Sequence, residues 1–355
     1  MPKLLYFLLV FGVIALAVDL LGGPDLLVFG LAALGIIPVS GLISRSTEDL
    51  AHHVGPKWGG LLNATFGNAA EMIIGIVALN AGLLTLVKAS ITGSIIGNLL
   101  LVLGMGLFVG GTRHGTQRFD AGEAGRNSAM MLIALAGLLL PAAFAIADPV
   151  DSDIQITSDA IAVVLIVVYV AYIVYSFTSE GSKQLHNEVG PLDDAAATGS
   201  HMWSARLAIG VLIAATLGTV VLAELLVGTV EHVAENFHLS EMFVGIILVP
   251  IIGNVAEHFS AVLFAAKNKT DVALAIAAGS STQVALLVAP MFVLVSYLFG
   301  QQLNLVFTPL EIIVVGASAF LFSFISADGE SNWLEGFELL ALYVMVGLVF
   351  FFLPT

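Results

Sequence analysis

Gly67-Asn68-Ala69-Ala70-Glu71 occurs twice in this chain. Gly253-Asn254-Val255-Ala256-Glu257 repeats it with one Ala→Val change, at an offset of 253 − 67 = 186 residues. A second pair keeps that offset: Gly93-Ser94-Ile95-Ile96-Gly97-Asn98 and Gly279-Ser280-Ser281-Thr282-Gln283, with 279 − 93 = 186. All four segments lie inside strongly apolar runs. A carboxylate at mid-membrane costs on the order of several kcal/mol, so an intramembrane Glu marks a functional site by default. Two such Glu residues in matching halves, each with Gly and Asn about one turn earlier, point to an ion site at a repeat interface. A single copy would be explained equally well by helix packing and a buried partner; two in register are not.

The composition agrees. With 355 residues, 59% hydrophobic and 10% charged, and a mean hydropathy of +1.03, the chain is not an ordinary soluble domain. There is no cysteine, which excludes disulfides and thiolate metal sites. A net charge of −15 argues against nucleic acid as a partner. The chain turns apolar directly after Met1-Pro2-Lys3 with no small-residue cleavage site, so this segment reads as a first span and not as a removed leader.

Near-continuous apolar runs of roughly twenty residues give about eleven spans. They are Leu4–Leu21, Asp25–Ile43, Gly60–Ala81, Ala89–Gly110, Ser128–Ala147, Ser158–Phe177, Trp203–Val227, Met242–Ala266, Val272–Phe299, Val306–Ile325 and Glu335–Leu353. Runs this long and uniform must be helices, since lipid offers no partners to open backbone. The expected fold is therefore an all-α membrane protein. Alternating the loops from a cytoplasmic N-terminus puts Lys3, Arg45, Lys57, Arg113, Arg118, Arg126, Lys183, Arg206, Lys267 and Lys269 inside, and Lys88 alone outside. Merging the first two spans across Gly22-Gly23-Pro24 would reverse most of these assignments.

Glu71 falls in the third span and Glu257 in the eighth, so the repeat unit is five spans. Five is odd, which makes the two repeats inverted. The expected organisation is an N-terminal transmembrane helix over 1–24, a first five-helix repeat over 25–178, a linker over 179–202 and a second repeat over 203–355. The linker carries Glu180, Glu188, Asp193 and Asp194 among Gly and Ala, which suits a solvated connector. Ser46–Val54 and Thr229–Phe237 mix charge with spaced apolar residues, as interfacial helices do. His258 points about 100° away from Glu257 on a helix and is expected to pack against a neighbour.

The spacing also suggests chemistry. Asn68 precedes Glu71 by three residues and Asn254 precedes Glu257 by three, so each pair shares a helix face. Ser94 with Asn98, and Ser280 with Gln283, add neutral oxygens from the following spans. Carbonyls freed where Gly67 and Gly253 open their helices would complete a set for a hard cation: Ca2+ takes about six to eight oxygens, and two carboxylates neutralise it. Imidazole or thiolate, which zinc or copper would prefer, is missing from the set. Burial and a neighbouring carboxylate favour the protonated form of a carboxyl group, whereas bound Ca2+ favours the ionised form. Glu71 and Glu257 can therefore carry protons when they do not hold calcium. No phosphate-binding G-x-x-x-x-G-K-[ST] loop is present, so transport driven by nucleotide hydrolysis is not indicated, and neither is an enzyme or a bound cofactor.

The paired motifs resemble the two hallmark repeats of the calcium/proton exchangers, within the wider calcium/cation antiporter superfamily. The resemblance covers roughly Trp58 to Gly110 and Glu241 to Pro290. It implies a secondary antiporter exporting Ca2+ in exchange for H+ by alternating access, with Glu71, Glu257, Gly67, Asn68, Gly253, Asn254, Ser94, Asn98, Ser280 and Gln283 as the ion site. The lack of a long hydrophilic N-terminal extension is what a compact exchanger of a prokaryotic cell membrane would show, and the distribution of basic residues puts the N-terminus in the cytoplasm and the C-terminus outside. The sodium/calcium exchangers of the same superfamily are the alternative. In them the position resembling Gln283 is typically acidic and a Pro precedes the motif Glu; here the residues are Gln283, Ala70 and Ala256. A passive cation channel is a second alternative, which proton-driven uphill calcium uptake separates from an exchanger; an intramembrane hydrolase accounts less well for the inverted repeat and the Gly-Ser segments. The oligomeric state is not readable from the sequence.

Overall fold

The structure, a computed structural model, describes residues 7–55, 58–59, 62, 65–176 and 202–353. Among these, eleven helices form. They are α1 (Leu9–Leu20), α2 (Asp25–Val54), α3 (Ala69–Asn80), α4 (Leu84–His114), α5 (Ala121–Ala147), α6 (Asp151–Ser176), α7 (Ala205–Phe237), α8 (Glu241–Ala266), α9 (Thr270–Phe299), α10 (Pro309–Ile325) and α11 (Trp333–Phe351). Eight are long and apolar enough to cross a membrane, and α1, α3 and α10 are shorter apolar helices. The expectation of an all-helical membrane protein with about eleven spans is met. Two-residue strands β1 (Gln117–Arg118) and β2 (Glu330–Ser331) pair antiparallel, the one sheet among the described residues. The acidic linker from residue 179 to 201, the N-terminal Lys3, and parts of the 60–64 stretch lie outside the described residues.

Local chemistry sets the helix ends. The chain stops α1 at Gly22, whose φ of +68° suits a residue without a side chain, and Gly23 N closes back on Val18 O at 2.8 Å. Pro24 then opens α2, so the first two spans are separate. Ser46–Val54 is not a separate interfacial element: it continues α2, a helix of 30 residues and thus about 45 Å, longer than a hydrocarbon core of about 30 Å. Thr229–Phe237 likewise ends α7. Nothing in either junction breaks a helix, so the charged turns extend the span beyond lipid depth.

Contacts divide the chain into two compact units. Unit 1 takes Met1–Ser90, Glu188–Glu257 and Phe350–Thr355, and unit 2 takes Ile91–Asn187 and His258–Val349. Each unit draws on both repeats. In unit 1 the long leading helices of the repeats, α2 and α7, pack along one another, α1 lies on α2, and α7 also meets α3. Small residues permit the α1–α2 contact: a Cβ on Gly35 would come within 2.7 Å of Gly12 Cα. The turn before α7 is tied to the end of α2, with the Arg45 guanidinium 4.3 Å from the Trp203 ring centre and Trp203 N donating to Asp49 Oδ2 at 3.4 Å.

In unit 2, α5 packs on α6, α9 and α10, and α9 packs on α4. The basic residues of unit 2 lie at one end, with several acids among them. His114 bonds Ala266 O at 3.0 Å, Asp120 N donates to Asp271 Oδ1 at 2.7 Å, and Arg118 pairs with Glu330 at 3.0 Å. These bonds gather Arg113, Arg118, Arg126, Lys267 and Lys269 toward one end of the unit. At the other end of α5 and α6, Leu305 N donates to Ser158 Oγ at 3.2 Å and Tyr297 donates to Asp159 at 2.6 Å, in the acidic stretch that holds Asp148, Asp151 and Asp153.

Candidate ion-binding site

Unit 1 brings the two acidic motifs together. Helical turns at Thr65–Phe66 give way to a turn at Gly67–Asn68, and α3 resumes at Ala69 with Asn68 as its N-cap at φ −95°, ψ 20°. The helix is interrupted at Gly67, as expected. Glu71 therefore sits in the first turn of α3, where the positive end of the helix dipole favours a carboxylate. Glu71, Asn68 and Asn254 are buried. Asn254 Nδ2 donates to Glu71 Oε1, so the second motif reaches the first.

Gly253 departs from expectation. It does not open its helix, and α8 runs unbroken through the motif from Val249 to Ala266. The irregularity in α8 lies earlier, in a π-helical stretch at Val244–Leu248. Gly253 is needed for another reason: a Cβ there would stand 3.2 Å from Glu71 Cγ. Its missing side chain makes room for the carboxylate of the other repeat. Glu257 lies one turn on and is half-buried, while the adjacent His258 is buried.

Unit 2 holds the second motif pair. Ser94, Asn98 and Ser280 are buried and Gln283 is half-buried. Ser281 Oγ donates to Ala277 O at 2.9 Å and to Ile95 O at 3.4 Å. Ser281 and Ile95 are 186 residues apart, the repeat offset itself, so repeat-equivalent positions touch where α4 and α9 meet. The helices share a further feature. α4 widens into a π-helix over Gly97–Val102, which contains Asn98, and α9 does so over Val284–Val288, directly after Gln283. The two π stretches occupy matched positions in the repeats, and such segments occur frequently at functional sites.

Sequence reasoning passed over these π segments and two acidic residues of unit 2. Glu123 and Glu311 are each the third residue of a helix, α5 and α10, and both are buried. The signal was present: Asp120-x-x-Glu123 and Thr308-Pro309-x-Glu311 have the spacing of capping boxes. Among the described residues no three His, Asp or Glu side chains converge on one point.

An all-helical membrane fold with an acidic motif in each of two repeats defines a class of cation transport proteins. The chain belongs to the sodium/calcium exchanger protein family, whose model matches residues 25–178 and 207–352. It is 41% identical to the Ca2+/H+ antiporter of Synechocystis sp., over 99% of this chain and 98% of that protein. It is 40% identical to the Ca2+/H+ antiporter ChaA of Bacillus subtilis, over 98% and 99% of the two. The solved structure of native YfkE superposes with a TM-score of 0.85 at 36% identity, covering 99% of this chain and all of that one. The two sequence relatives are Ca2+/H+ antiporters by name, as the resemblance of the doubled motifs implies.

Proposed function

We propose that the chain is a secondary antiporter that exports Ca2+ in exchange for H+. The observation that carries this reading is the bond from Asn254 to Glu71, which joins the two acidic motifs. Glu71 and Glu257 are the charged ligands and the proton carriers. Asn68 and Asn254 bring amide oxygens, and the interrupted turn at Gly67 exposes backbone carbonyls. Ser94, Asn98, Ser280 and Gln283 are the neutral ligands assigned from the sequence, and Gly253 gives the space in which Glu71 lies.

Chemistry couples the two substrates. Two carboxylates balance one Ca2+ or two protons equally well, so the site is neutral in either loaded state. The charged empty site is costly to carry through a low-dielectric interior. Calcium and protons therefore alternate at the same groups. Asn254 suits both states: its N–H donates to an ionised Glu71, and a rotated amide accepts from a protonated one.

The repeats are inverted in this reading, and each presents its motif in turn to opposite sides of the membrane. The clustered basic residues of unit 2 support a cytoplasmic placement for that end, with the N-terminus inside and the C-terminus outside. Calcium flux into proteoliposomes under an imposed pH gradient tests the proposal. Uptake that follows the gradient supports it, and uptake indifferent to pH rejects it.

A further inference from the structure

Glu311 is only 2% exposed and lies outside both motif pairs. A capping box holds one of its oxygens: Thr308 N and Thr308 Oγ1 each donate to Oε2 at 2.8 Å, and Glu311 N donates to Thr308 Oγ1 at 3.3 Å. That box explains why a Glu starts α10. It does not explain the other oxygen. Oε1 turns away from the cap and accepts from Thr92 Oγ1 at 3.0 Å, across 219 residues of sequence. Thr92 lies on α4, two residues before Ser94 and six before Asn98.

The surroundings strengthen this bond. A small pocket at Thr92 and Glu311 is otherwise walled by apolar groups, among them Ile91, Ile95, Leu138, Phe307 and Ile312. A hydrogen bond in such an apolar setting is stronger than one at a wet surface. α10 also packs on the π-helical stretch of α4 that contains Asn98. The other repeat has the matching arrangement: α5 opens with Asp120 capping Glu123 N at 2.8 Å, and α5 packs on α9. Each serine-bearing helix thus lies against the helix of the opposite repeat that carries a buried Glu in its first turn.

We infer that Glu311 is a positioning residue for calcium binding. Through Thr92 it fixes the rotation of α4, and so the directions in which Ser94 and Asn98 present their oxygens. The inference rests on the proposed ligand role of Ser94 and Asn98. An acid that only capped α10 would govern stability. An acid that sets ligand direction governs affinity.

The test uses the full chain in proteoliposomes, with calcium uptake driven by a pH gradient and measured against calcium concentration. Thr92→Val is expected to raise the half-saturating concentration about three- to tenfold, the range of interhelical hydrogen bonds in membranes. Its maximal rate stays within about twofold of wild type. Thr92→Ser keeps the hydroxyl and restores affinity. Glu311→Gln weakens affinity in the same direction, and T92V/E311Q is no weaker than the weaker single variant, because both act on one bond. The rise in melting temperature that CaCl2 produces in detergent follows the same ranking. Unchanged half-saturation in Thr92→Val, or a loss confined to maximal rate, would overturn the inference. Collapse of Thr92→Val beside a wild-type-like Thr92→Ser would also overturn it, by assigning the bond to stability alone. Wild-type protein that shows no pH-driven uptake would reject the antiport reading instead, and the calcium-dependent melting shifts would still decide the positioning role.

Discussion

Asn254 of the second motif donates its side-chain N–H to Glu71 of the first. The two residues are 183 positions apart, and the bond crosses from one repeat to the other inside a single compact unit. Neither motif is complete alone. The carboxylate comes from one repeat, while the amide that orients it and the glycine that makes room for it come from the other.

Neutralising either motif acid is the first consequence. Glu71→Gln and Glu257→Gln each remove half the formal charge and one proton carrier. Both variants are expected to fold and to lose at least about 99% of pH-driven calcium flux, as removing one charged partner from a bound ion costs about 2–5 kcal/mol of binding. Near-normal flux in either folded variant would move the site elsewhere.

Gly253→Ala probes the close approach without touching a charge. The added Cβ would stand 3.2 Å from Glu71 Cγ, so the acid must shift by a few tenths of an ångström. Overpacking of this kind costs about 1–3 kcal/mol. Calcium affinity is expected to fall about five- to a hundredfold, while Gly279→Ala, where nothing lies within 4 Å of the built Cβ, has a smaller effect. Equal effects at both glycines would count against the packing role.

Much of this was legible from hydropathy. Eleven apolar runs became eleven helices among the described residues, since runs this long and uniformly apolar satisfy their backbone hydrogen bonds in lipid as helices and not as barrel strands. The offset of 186 residues identified the motif pairs and their order. Four things were not legible. Charged ends such as Ser46–Val54 looked like separate elements, because composition changes there while helix geometry does not. Gly253 looked like a helix break, because glycine serves both helix opening and close packing and sequence does not distinguish them. The π stretches at Gly97–Val102 and Val284–Val288 carry no compositional mark, since a one-residue change in hydrogen-bond phase leaves apolarity untouched. Glu311 was visible as a capping residue, but its bond to Thr92 is long-range, and no local pattern encodes it.

The confinement of the basic residues of unit 2 to one end gives a topological prediction. The chain has no cysteine, so single cysteines can be introduced cleanly. Arg118→Cys, at the basic end, is expected to react with a membrane-impermeant maleimide only from the cytoplasmic side. Ser152→Cys, in the acidic stretch, is expected to react only from outside. Labelling of both from one side would contradict the proposed orientation.

Ion choice follows from Gln283. Its side chain is neutral, so the proposed site has two carboxylates, which two protons neutralise as fully as one Ca2+. The decisive measurement is calcium flux in proteoliposomes under two separate driving forces: a pH gradient without sodium, and a sodium gradient at equal pH. The proposed mechanism predicts robust flux in the first case and none above background in the second. Robust sodium-driven flux, with none from the pH gradient, would contradict it.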